Sequence, residues 1–66
     1  MSIARVTEIT AGSSKNFEDA INKGLNRANE TLDHIEGAWV NDMKVIVKSG
    51  KVDEYRVNLK LTFVLR

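Results

Sequence analysis

The side chains that could do chemistry in this 66-residue sequence are few. Trp39, the only tryptophan, offers a flat π surface to a planar ligand; the competing reading is an apolar aromatic of the core or of an interface. Arg56 and Lys60 have the same parity on one stretch of chain, so on a strand they share a face and could meet a phosphate or a carboxylate. An ordinary solvated face, with these cations pairing to Glu54 or Asp42, is the alternative. Asp42, Asp53 and Glu54 could give oxygen ligands to a hard cation, but they follow no EF-hand spacing. With a single histidine and no cysteine, thiolate and histidine-rich metal sites are excluded and no metal is expected. No Ser-His-Asp set, phosphate-binding loop or dinucleotide fingerprint is present, and His34 has no neighbouring nucleophile in sequence, so no enzyme is expected.

The element that must position Arg56 and Lys60 is the clearest in the chain. From Tyr55 every odd position is apolar (Tyr55, Val57, Leu59, Leu61, Phe63, Leu65), whereas Arg56, Asn58, Lys60 and Thr62 fill the even ones. That period of two predicts a long strand over 52–65 with one dry face and one wet face. Ser49-Gly50 is a turn signal before it, so the strand predicted over about 38–48 forms a hairpin with it. In that second strand Trp39, Met43, Val45 and Val47 are odd, but Ala38, Val40 and Ile46 are even. The mixed parity around Asn41-Asp42 predicts a bulge or a strand covered on both faces.

Upstream, Ile3–Ile9 reads as a first strand, rich in β-branched residues, with Val6 out of phase with Ile3 and Ile9. Thr10-Ala-Gly-Ser-Ser-Lys reads as a turn around Gly12. Asn16 is placed as a helix N-cap, with Glu18 and Asp19 in the first turn. Phe17, Ala20, Ile21, Gly24, Leu25, Ala28 and Leu32 then form one apolar stripe at helical spacing, and Gly24 within it reads as a close approach to the sheet. Asp33 to Gly37 is expected to close the helix, with His34 near its C-terminus, where the dipole favours a cation.

The order strand, helix, strand, strand makes an α+β fold, β-α-β-β, with a three-stranded antiparallel sheet wrapped around one helix in a single domain, 1–66. A domain of this size buries only about 60% of its unfolded surface, and with no cysteine or metal, association is the remaining source of stability. The charges, 10 Lys+Arg against 9 Asp+Glu, are interspersed and sum to +1, so neither nucleic acid nor an anionic membrane is expected as partner. The even face of the last strand also lacks the aromatics that single-stranded nucleic acid would stack on. No apolar run reaches membrane-span length and the start lacks a signal-peptide layout, which by default gives a cytoplasmic location.

Three stretches, Asn16-Phe-Glu-Asp-Ala-Ile21, Arg27-Ala-Asn-Glu-Thr-Leu32 and Glu54-Tyr-Arg-Val-Asn-Leu-Lys-Leu-Thr-Phe-Val-Leu65, in this length and element order, closely resemble the dodecins over essentially the whole chain. The resemblance implies a hollow homododecamer of β-α-β-β protomers that binds flavin, FMN or riboflavin, at subunit interfaces and serves in its storage and sequestration. It also implies a Trp at the start of strand two, stacking on the isoalloxazine, and a Gln in strand three contacting it. Gly37 stands at the Trp position and Arg56 at the Gln position. Trp39 follows Gly37 by two residues, and Arg56 suits a phosphate better than a neutral Gln, which favours FMN. The candidate cofactor-binding residues are therefore Trp39, Arg56, Gly37 and Asp42. A shell whose flavin site is lost or altered, structural or holding another phosphate-bearing cofactor such as coenzyme A, is the alternative.

Overall fold

The computed structural model describes residues 3–32 and 34–65, with Ile3, Ala4 and Leu65 described by backbone alone. Four elements follow in order: β1 (Ile3–Ser13), α1 (Phe17–Asn29), β2 (Ile35–Lys48) and β3 (Lys51–Leu65). The sheet is antiparallel with spatial order β1-β3-β2, so the most regularly alternating segment of the sequence is its central strand. Central placement explains why β3 carries the core. Val57, Leu59 and Leu61 are essentially inaccessible and Phe63 nearly so, and burial of side chains this large stabilises by about 1.5–3 kcal/mol each.

α1 closes that core from one side. Its N-cap is Asn16, whose extended backbone (φ −169°) lets Oδ1 accept the Asp19 N–H at 2.7 Å. Ala20, Gly24 and Ala28 are the buried face of the helix, and these small residues let its axis come close to the sheet. At Gly24 the approach is extreme: a Cβ there would stand 3.0 Å from the Ala11 Cβ. The close-approach reading of Gly24 is therefore correct.

Three expectations need correction. Thr10–Ser13 is not a turn but the continuation of β1, paired through Ser13↔Tyr55, and Gly12 takes no positive φ. Its reason is tertiary, since the Glu54 carboxylate occupies the space where a Gly12 Cβ would sit. The helix ends at Asn29 and not in the segment that follows, although Leu32 folds back by donating its N–H to the Ala28 carbonyl (2.8 Å) and packs on the core. His34 is consequently no helix cap: it lies past the helix with φ 61°, and its carbonyl accepts the Val64 N–H. Asp33 lies outside the described residues.

The hairpin is as expected, with Ser49 (φ 52°) and Gly50 (φ 74°) both left-handed, the geometry that matches strand twist in a two-residue turn. The bulge expected near Asn41-Asp42 falls between Val40 and Asp42, and further register shifts occur at Ile35/Gly37 and Ile46/Val47.

The folded chain is long. It measures 52 × 19 × 14 Å, and its radius of gyration, 13.5 Å, exceeds the roughly 11 Å of a compact domain this size. Its accessible surface of 4923 Å² likewise exceeds the roughly 4,200 Å² expected for a compact chain of its mass. The cause is the β2–β3 hairpin, which runs past the end of β1. α1 packs on β1 and β3 and leaves β2 largely uncovered, so Val40, Met43 and Val45 stay 39–47% exposed.

Candidate functional site

Register decides which side chains meet on the face of the sheet turned away from α1. Directly opposed residues share a face, and four rows cross all three strands: Val6–Thr62–Gly37, Glu8–Lys60–Trp39, Thr10–Asn58–Asp42 and Gly12–Arg56–Lys44. Gly37, Trp39, Asp42 and Arg56 thus all stand on this one face. Trp39 is 69% exposed, so the indole lies outside the core of the chain.

Within the face the four positions are not equivalent. The Gly37 and Arg56 rows are six β3 residues apart, about 20 Å at 3.3 Å per residue. A single copy of the chain cannot bring both to the same planar ring. Trp39 and Arg56 are separated by four β3 residues, about 13 Å, with the Asp42 row between them. Pairing is unbroken from Gly37 to Val40, so Trp39 keeps its two-residue offset from Gly37 and does not slide into the Gly37 position. Gly37 has room for little more: a Cβ would meet the Thr62 Oγ1 at 3.2 Å, and that hydroxyl donates to the Gly37 carbonyl.

The middle rows hold a hydrogen-bonded ladder. Asn41, the extra residue at the bulge, donates from Nδ2 to the Asn58 Oδ1 (3.0 Å), and Asn58 Nδ2 donates to the Thr10 Oγ1 (3.2 Å). Three strands are linked by side chains alone, and the amides and hydroxyl keep further donors and acceptors for a ligand. Asp42 turns its Oδ1 to its neighbour, accepting the Met43 N–H at 2.9 Å. A polar cleft of about 420 Å³ lies over these rows.

Arg56 donates from Nε to the Glu54 Oε1 at 2.7 Å, so the pairing with Glu54 expected of a solvated face is present. Both side chains are about one-third exposed or more, and the pair fixes the direction of the guanidinium more than it stabilises the fold. Lys60 stands between Glu8 and Trp39 in its row. Sequence reasoning missed Thr10, which reads as the start of a turn, and Asn41, Lys44 and Asn58, which read as ordinary polar residues along single strands. The signal that could have found them was the bulge, because it shifts β2 parity and turns Lys44 onto the face of Arg56.

Away from this face, Ser13, 3% exposed, donates to the Asp19 Oδ2 at 2.5 Å and accepts the Lys15 N–H at 2.9 Å. The Ser13 hydroxyl, followed by Lys23 at 3.2 Å, holds the Asp19 carboxyl below its ordinary range. This cluster ties the end of β1 to the first turn of α1 and belongs to the scaffold.

A single helix clasped by an antiparallel sheet, with an open polar face carrying a lone exposed tryptophan, defines a small domain of the β-α-β-β type. The dodecin family profile matches residues 3–66, and the chain belongs to the dodecin family. Among solved structures it is similar to the dodecin from Streptomyces davaonensis (29% identity, 98% of this chain and 96% of that one, TM-score 0.94). It is similar to the dodecin from Streptomyces coelicolor as well (29% identity, 98% and 93%, TM-score 0.94). A tryptophan-to-phenylalanine mutant of the Thermus thermophilus dodecin aligns over 100% of this chain and 98% of its own, at 29% identity and TM-score 0.94. No curated protein sequence matches the chain.

Proposed function

We propose that the chain assembles into a hollow homododecamer and binds flavin, FMN or riboflavin, at its subunit interfaces, where it stores and sequesters the cofactor in the cytoplasm without acting as an enzyme. The observation that carries this reading is Trp39, a large aromatic 69% exposed on a face that the protomer itself does not cover. A planar ring seated on the indole gains about 0.5–1.5 kcal/mol beyond its burial and is closed off from water by the next copy.

The protomer's surplus surface supports the assembly. Val40, Met43 and Val45 form an exposed apolar strip on β2, and an apolar groove floored by Ile9, Ala11, Gly24 and Ala28 runs between β1 and α1. A second copy covers such surfaces at no cost in new design, and association supplies the stability that one small core lacks.

Gly37 and Arg56 favour a second reading, in which the flavin site is altered and the shell holds another phosphate-bearing cofactor such as coenzyme A. Native mass spectrometry of the purified protein distinguishes the two. A dodecamer carrying flavin adducts supports the first reading; a dodecamer carrying only a different phosphate-bearing adduct supports the second; a monomer overturns both.

A further inference from the structure

Gly37 is a strand glycine without a backbone reason. Its φ is not positive, and among the described residues a Cβ there would meet one atom within 4 Å, the Thr62 Oγ1, at the end of a rotatable bond. Glycine inside a strand forfeits packing and marks a place that something else approaches closely. Two residues on, and on the same face, stands the 69% exposed Trp39. The contrast extends across the sheet: the row Val6–Thr62–Gly37 is made of short side chains and the adjoining row Glu8–Lys60–Trp39 of long ones. A furrow thus lies beside a ridge, about 6–7 Å away. Resting on the assembly proposed above, we infer that these two rows are a self-recognition surface: a second copy of the chain lays its ridge in this furrow and takes this ridge in its own, so that each Trp39 is seated on the Gly37 of the other copy.

Symmetry makes the fit reciprocal. A twofold axis between two such faces, running across the strands midway between the rows, reverses strand direction and sets each ridge over the opposite furrow, as an isologous contact requires. It keeps like strands over one another, so Glu8 meets Val6, Lys60 meets Thr62 and Trp39 meets Gly37. Glu8 and Lys60 are opposed in register and opposite in charge, so the ridge has no net charge to repel its copy. Unbroken pairing from Gly37 to Val40 holds knob and hole at a fixed spacing. A flat ligand then reaches the indole only by parting it from the glycine, so ligand binding competes with this contact.

Trp39 is the only tryptophan, so its emission reports the contact alone. The test is acrylamide quenching of that emission in the ligand-free protein, with sedimentation velocity on the same sample. The assembled parent is expected to be quenched several-fold less steeply than the chain in denaturant, and Gly37→Val, which fills the furrow, to restore most of the quenching. Val6 is 55% exposed, so variants there spare the core and keep the test valid if Gly37→Val fails to fold. Val6→Glu, set against Glu8 of the second copy, is expected to expose the indole, and Val6→Lys, set against the same acid, to expose it less. An assembled parent whose indole is as accessible as in denaturant, or protection that survives both Gly37→Val and Val6→Glu, overturns the inference and leaves the assembly standing. A monomeric parent overturns both. A protected indole in an assembly that quenches no flavin supports the inference and removes the flavin reading alone.

Discussion

The Glu54 carboxylate lies over Gly12 on the neighbouring strand: a Cβ on Gly12 would come within 2.7 Å of Glu54 Oε1, the same oxygen that accepts the Arg56 Nε–H at 2.7 Å. A missing side chain on β1 thus makes room for the acid that aims the arginine of β3. Gly12→Ala moves only the flexible end of Glu54 and gains strand propensity, so stability should change by less than about 1 kcal/mol. The expected consequence lies in the site, where Arg56 loses its fixed direction and the FMN-to-riboflavin affinity ratio falls. Denaturant unfolding and flavin titration of the same variant separate the two effects.

Gly24→Ala should behave in the opposite way. Alanine gains about 1 kcal/mol of helix propensity, but its Cβ would meet the Ala11 Cβ at 3.0 Å, with the side-chain ends of Ile9 at 3.4 Å and Leu59 at 3.5 Å. A Cβ fixed to a strand cannot swing away as a glutamate tip can, and overpacking costs about 1–3 kcal/mol. A net loss of about 1 kcal/mol, seen as a lower denaturant midpoint, is expected.

Asp19 provides a pH signature. Its carboxyl is held below the ordinary value of 3.8, first by the Ser13 hydroxyl and then by Lys23. A depressed folded pKa contributes stability above the unfolded value, and that contribution is lost as pH falls through the folded pKa. Asp19→Asn should therefore be less stable than the parent at neutral pH, with the gap closing below about pH 4. Melting temperatures of the pair between neutral pH and strong acid check the sign; a gap that widens in acid would refute it.

Much of this was legible because one strand alternates cleanly. The odd side of β3 is the core, the N-cap and helix stripe are where spacing puts them, and the hairpin and bulge follow from Ser49-Gly50 and the broken parity at Asn41. Gly12 misled because turn propensity is local, whereas its actual neighbour, Glu54, is distant in sequence. The site was half legible for the same reason. Periodicity along one strand puts Arg56 and Lys60 on a face, but only cross-strand register adds Trp39 and Lys44 to that face and sets Gly37 about 20 Å from Arg56. With Trp39 included, the face carries an aromatic that β3 by itself lacks.

The exposed strip on β2 gives a prediction about assembly. Met43 is 47% exposed on the core-side face of β2, the strand that α1 leaves largely uncovered, and contributes little to the chain's own core. Met43→Lys should leave the secondary structure intact and shift the sedimentation coefficient toward the monomer. An unchanged assembly would place the subunit contact elsewhere.

The most direct measurement is quenching of flavin fluorescence by the ligand-free protein, compared among the parent, Trp39→Phe and Trp39→Ala. Saturable quenching is expected in the parent, weakened several-fold by Trp39→Phe and by about tenfold or more by Trp39→Ala, in keeping with the loss of one stacked aromatic. Quenching that persists unchanged in Trp39→Ala, or its absence from the parent at micromolar protein, would contradict the assignment of this face as a flavin site.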